Sequence, residues 1–142
     1  MIRVSGTKLN EAEFVAVLPA ADFEKSVAFY RDTLGLEVET RPDMPGYAFF
    51  KAGRGSRFLL YRRPERTKAE HTTAAFIVDD VEATVSDLRA RGVRFEEYDL
   101  PGLRTVNGVA SMDSGEKSAW FADPDGNIIA VSEESMTARK AA

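Results

Sequence analysis

Ala21-Asp22-Phe23-Glu24-Lys25-Ser26-Val27-Ala28-Phe29-Tyr30-Arg31-Asp32-Thr33-Leu34-Gly35-Leu36 is the stretch on which the fold turns. Phe23, Val27, Tyr30 and Leu34 recur at spacings of four, three and four, which sets them on one helical face. Asp22 is a good N-cap, Lys25 and Ser26 place polar groups in the first turns, and Gly35 stands where a left-handed C-cap is wanted. The stretch reads as an amphipathic helix packed on a sheet.

Upstream, Phe14-Val15-Ala16-Val17-Leu18 is a short apolar run that Pro19 limits, and it fits a strand buried on both faces. Downstream, the turn-rich Arg41-Pro42-Asp43-Met44-Pro45-Gly46 leads to two expected strands at residues 47–51 and 57–61, with Gly53-Arg54-Gly55 as their hairpin turn. The first half is therefore strand, helix and meander. The charged residues 62–70 form the natural linker.

The order then repeats. Residues 72–78 are β-rich, Asp79-Asp80 precedes a helix over 81–91 with Val81, Val85 and Leu88 as its stripe, and Gly92 closes it as Gly35 closed the first. Asp22 to Gly35 spans 13 positions and Asp80 to Gly92 spans 12, so the helices match to within one residue. Residues 93–98 alternate as a strand, the loop 99–115 is long enough to form a lid or binding segment, and strands at 118–122 and 127–131 flank Asp123-Pro124-Asp125-Gly126. In that turn Pro presets φ and Gly supplies a positive φ. The first dozen residues are expected along the surface, and the tail from about Met136 is expected to fray. This gives one α+β domain over 1–142, with module 1 at about 13–61, a linker at about 62–70 and module 2 at about 71–135. Each strand-helix-meander unit leaves one sheet face bare, so two of them are expected to curl into an open mixed barrel with helices outside and a cleft inside.

Composition narrows the function. The 142 residues suffice for one sizeable core, and no apolar run approaches the length of a membrane span. The N-terminal residues lack the apolar core of a signal peptide, so a cytoplasmic protein is expected. There is no cysteine, which removes disulfides, thiolate metal sites and cysteine nucleophiles. A net charge of -4 argues against nucleic acid as the main partner, and the basic run at 61–68 reads as a solvated loop. No nucleophile elbow, phosphate-cradling glycine loop or EF-hand spacing is present.

Asp22, Ser26, Phe29-Tyr30 and Leu34-Gly35, together with Asp123-Pro124-Asp125-Gly126-Asn127, resemble the signature of the vicinal oxygen chelate superfamily, which includes glyoxalase I, bleomycin resistance proteins and extradiol dioxygenases. The resemblance runs from about Phe14 to Ser132 and implies tandem βαβββ modules, the glyoxalase/bleomycin resistance fold. It also implies, for the enzymes, a divalent metal held by His, Glu or Gln on inward strand positions, where a substrate's two oxygens can chelate it. Carried over, those positions fall on Val15, Thr73 and Ala130, with the fourth on or near Tyr61. Valine and alanine offer no ligand atom, and the chain has no glutamine. His71, the only histidine, lies two before Thr73 and reads as a strand-end or pocket-rim residue.

The expected pocket is lined by Val15, Val17, Tyr47, Phe49, Tyr61, His71, Thr73, Trp120 and Ala130, with no metal and no assigned catalytic residue. Such a lining suits a planar or amphipathic small molecule. Tyr98 and the residues after it are expected at the rim, and Arg57 and Arg104 are placed to offer positive charge to an acidic ligand. The resulting reading is a metal-independent binding protein for a small aromatic or amphipathic molecule, in a homodimer whose subunits jointly wall the clefts. The alternative is a glyoxalase-like lyase, isomerase or dioxygenase with Zn, Ni, Mn or Fe in a displaced site that includes His71. A third possibility is metal-free acid/base catalysis by a tyrosine or His71. Whether the protein is an enzyme stays open at this level.

Overall fold

The computed structural model describes residues 8–134, so the C-terminal tail lies outside the described residues. The chain is α+β and built of two βαβββ modules. In the first, β1 (Ala16–Ala20), α1 (Phe23–Ala28), β2 (Glu37–Thr40), β3 (Tyr47–Lys51) and β4 (Arg57–Arg62) form a four-stranded sheet ordered β1-β4-β3-β2. In the second, β5 (Thr72–Ile77) and α2 (Val81–Ala90) are followed by a small hairpin, β6 (Asp99–Leu100) with β7 (Leu103–Arg104). Then β8 (Val109–Ser111), β9 (Lys117–Ala122) and β10 (Ile128–Ser132) complete a sheet ordered β5-β10-β9-β8. In each module the first strand runs parallel to the last, the pairing that a helical crossover requires.

Both helices begin as their sequences dictate. The Asp22 carboxylate accepts from the Lys25 N–H at 3.1 Å, and Asp80 accepts from the Ala83 N–H at 3.0 Å. Gly35 and Gly92 follow at φ 77° and 94°, a region closed to most side chains. The first helix departs from the expected regular stripe, because α1 passes at Phe29–Thr33 into a π-type turn. There the Leu34 N–H reaches back to the Phe29 carbonyl. The wider turn keeps Tyr30 fully buried and leaves Leu34 only half-buried.

Three expectations need correction. The first strand is shifted to Ala16–Ala20 and contains Pro19. It lies at the sheet edge, where the missing N–H costs nothing, and it is not buried on both faces, since Val17 is 51% exposed and Phe14, before the strand, 95%. Residues 93–98 form no strand, only a bridge from Phe95 to Phe121. The backbone keeps single bonds there, from the Glu96 N–H to the Trp120 carbonyl and from the Thr105 N–H to the Tyr98 carbonyl. Side chains supply the rest: Thr105 Oγ1 accepts from the Tyr98 N–H and donates to Glu97, which also accepts from the Gly108 N–H. The loop after residue 99 is partly ordered as the β6–β7 hairpin and β8.

Side-chain alternation gives each sheet a helix-covered face and a helix-free one. On the first, Leu18, Ala20, Ala48, Phe50, Phe58 and Leu60 pack under Phe23, Val27 and Tyr30; on the second, Ala119, Phe121, Ile129 and Val131 pack with Val81, Val85 and Leu88. All belong to one hydrophobic cluster, which crosses between the modules where Phe29 meets Phe121 (6.1 Å between ring centroids) and Phe58 meets Phe76 (6.4 Å). The covered faces thus share the core, and the helix-free faces point outward. No ladder bond joins the two sheets among the described residues. No helix there is long and apolar enough to cross a membrane.

Candidate functional site

Two constellations stand out, one polar and internal, the other apolar and partly open. The first is the turn Asp123-Pro124-Asp125-Gly126-Asn127, which does more than reverse the chain. The Tyr30 hydroxyl donates to Asp123 Oδ2 at 2.6 Å, and Asn127 Nδ2 donates to the same oxygen at 2.8 Å. Asp123 Oδ1 accepts from the N–H groups of Asp125 and Asn127 at 2.9 Å. Asn127 Nδ2 also donates to the Pro19 carbonyl, while Asp125 accepts from the N–H groups of Ala21 and Thr67. The turn therefore ties β1, α1 and the linker to module 2. Burial pushes the Asp123 carboxyl up from its ordinary value, against the pull of the hydrogen bonds from Tyr30 and Asn127. Burial, then the Asp123 charge, holds the Tyr30 phenol well above its ordinary range, so Tyr30 is the donor of the pair. This network is a latch between modules, with both carboxylate oxygens of Asp123 and both of Asp125 engaged internally.

The second constellation is the helix-free face of the first sheet. Register sets Val17 beside Leu59 and Leu59 beside Phe49; in the next row Tyr61 lies beside Tyr47. These form one apolar and aromatic floor, with Val17 and Tyr47 51% and 42% exposed and Phe49, Leu59 and Tyr61 half-buried. Arginines border it: the guanidinium carbon of Arg57 lies 5.1 Å and that of Arg41 5.5 Å from the Phe49 ring centroid. On the second sheet the helix-free face carries Trp120 paired with Ala130, Ala130 with Ala75, and Ile77, which is 54% exposed. Tyr98 meets Trp120 edge-on at 5.6 Å, and burial of its ring raises its phenol above the ordinary value.

The sequence-predicted lining divides accordingly. Val17, Tyr47, Phe49 and Tyr61 share one face and Trp120 and Ala130 the other, while Thr73 sits at a break in the β5–β10 register, between Thr72 paired with Ile128 and Ala74 paired with Ile129. Within one chain the two groups are not brought together. Val15 is half-buried just ahead of β1, and His71 is exposed just ahead of β5, its carbonyl accepting from the Thr73 hydroxyl at 3.4 Å. Arg104 is held by Asp99 at 3.1 Å in the β6–β7 hairpin, away from this lining. Alternation sets Leu59 on the same strand face as Tyr61, and the register makes it part of this floor; sequence reasoning missed Arg41 as border, for which nothing local carried a signal.

A cavity of about 580 Å³ lies between the edges of β1 and β5, where Ala16, Leu18, Phe58, Ala74, Phe76 and Ile129 line it and Arg57 and Ile77 reach it from the two helix-free faces. None of the nine expected lining residues reaches it. Small side chains at Ala16 and Ala74 leave this space open.

The positions that would carry a metal do not fit one. Val15 and Ala130 present only carbon, Thr73 a hydroxyl and Tyr61 a phenol, and no group of three or more His, Asp or Glu side chains gathers among the described residues.

The model of the family described as Glyoxalase/Bleomycin resistance protein/Dioxygenase superfamily matches residues 12–131. The protein YraH of Bacillus subtilis (strain 168), itself uncharacterised, is 32% identical over 122 residues, covering 78% of this chain and 88% of its own. A lactoylglutathione lyase from Agrobacterium tumefaciens superposes with a TM-score of 0.64 at 27% identity over 87% of this chain and 93% of that one. A bleomycin-binding protein complexed with bleomycin gives 0.66 at 18% identity over 87% and 99%, a likeness of fold alone.

Proposed function

Because the chain belongs to the Glyoxalase/Bleomycin resistance protein/Dioxygenase superfamily, we propose that it uses this fold to bind a small aromatic or amphipathic molecule without a metal. One observation carries the reading: the helix-free face of the first sheet is a continuous floor of Val17, Leu59, Phe49, Tyr61 and Tyr47, partly open and bordered by guanidinium groups. A contiguous apolar face with a charged border marks a binding surface rather than ordinary exterior. The donor set at the metal positions supports the metal-free part, since carbon side chains at Val15 and Ala130 cannot replace the ligands that metal chemistry needs.

A flat floor holds a small molecule weakly, because most of the ligand's surface stays wet. The chain supplies a second such face around Trp120, Ala130 and Ile77, but the shared core turns the two apart. A walled cleft follows if the first face of one copy opposes the second face of another, which gives a homodimer with two equivalent clefts. Small-molecule binding by this fold has a precedent in the bleomycin-binding protein.

The test uses Trp120, the only tryptophan. Its emission should change saturably with planar aromatic compounds in the presence of a chelator. Indifference to a broad panel contradicts the proposal, as does a response that appears only after Zn, Ni, Mn or Fe is added.

A further inference from the structure

Resting on the reading of that floor as a ligand wall, we propose that its occupant is a planar aromatic monoacid. The ring lies on Tyr61 and Tyr47, in the row beside Phe49, and the carboxylate is gripped by Arg57 and Arg41. Both guanidinium groups lie over the Phe49 ring, at 5.1 and 5.5 Å. A guanidinium stacked on an aromatic ring keeps its N–H edge free for a planar acceptor, and a carboxylate matches that fork.

The molecule already places a carboxylate there. Arg57 Nε and Nη2 lie 3.1 and 3.0 Å from Glu13 Oε1, so a side chain from the stretch preceding β1 fills the fork. Both partners are well exposed, with 39% and 50% of their side chains accessible, so the pair contributes little and a ligand carboxylate displaces it readily. Arg41 is still less committed: its contacts are a 4.0 Å approach to Met44 Sδ and a 3.9 Å approach to Glu39. Glu39 lies in register with Phe49 and limits the preference to a single negative charge, because a second would face it.

The experiment compares three probes of one shape on the full chain: naphthoate, its methyl ester and naphthylmethylammonium, by calorimetry and Trp120 emission. Naphthoate should bind about tenfold tighter than the ester, and the ammonium weakest. Arg57→Gln and Arg41→Gln should each weaken naphthoate roughly three- to tenfold more than they weaken the ester, with circular dichroism showing that the variants are folded. Glu13→Gln should tighten naphthoate about two- to fivefold by removing the internal competitor. Equal affinity for acid and ester, preference for the ammonium, or equal weakening of both by Arg57→Gln overturns the ligand class while the binding face stands. If none of the three binds, the face and the class fail together.

Discussion

Replacing Tyr30 with Phe tests how the two modules are held together. The substitution keeps the ring, and with it the contacts to Phe50 and Phe58 at 5.4 and 5.1 Å, and removes only the hydroxyl that donates to Asp123 at 2.6 Å. Asp123 keeps its bonds from Asn127 Nδ2 and from the N–H groups of Asp125 and Asn127, so three of its four donors survive. Losing one charge-assisted bond at a buried, still partly satisfied carboxylate costs about 2 kcal/mol. For a chain of this size that is roughly 5 to 10 °C in Tm.

The loss should also depend on pH. Burial already raises the Asp123 pKa above 3.8, and the Tyr30 bond pulls it down, so the variant's carboxyl rises further. A carboxyl whose folded pKa is raised stabilises the native state below its unfolded value, and that stabilisation is lost as pH rises through the folded value. The deficit of Tyr30→Phe is therefore largest near pH 7, where Asp123 is ionised, and shrinks toward about 1 kcal/mol as pH falls to the ordinary value near 3.8. Urea unfolding at several pH values, followed by circular dichroism, measures it. A deficit below about 0.5 kcal/mol at neutral pH, or one that grows on acidification, would refute the latch.

Other perturbations address separate parts of the account. Asp80→Ala removes the acceptor for the Ala83 N–H and should cost about 1 kcal/mol in urea unfolding, with full retention of binding. Ser26→Ala should be neutral or stabilising by up to about 1 kcal/mol, because the buried Ser26 Oγ has no partner among the described residues; a clear loss of Tm would show that it does. Ile77→Asp changes a residue 54% exposed in the single chain, so folding should shift by less than about 0.5 kcal/mol while self-association weakens in sedimentation velocity. Unchanged association would remove the second face from the subunit contact.

The helices were legible because their signals are local. Asp22 and Asp80 cap, Gly35 and Gly92 terminate, and the matched spacing disclosed the duplication. The strand expected over residues 93–98 failed for a reason that alternation cannot show: the Thr105 side chain, seven residues past Tyr98, takes the Tyr98 N–H and binds Glu97, where a ladder would have used a neighbouring backbone. Pro19 was read as ending a central strand, yet it is accommodated inside β1 because β1 is an edge. The Asp123 turn was legible as a turn, but its role as a latch depends on Tyr30, 93 residues away. Of the site, alternation correctly grouped Tyr47 with Phe49 and placed Tyr61 on one side of its strand. The direction in which the two floors face is set by the shared core, which no window of sequence contains.

Calorimetric titration of chelator-treated protein with the naphthoate methyl ester tests the central claim most directly. Metal-free binding in a cleft walled by two copies predicts saturation at one ligand per chain, with the same affinity after zinc or nickel is added. Absence of binding, or binding that requires the metal, would contradict it.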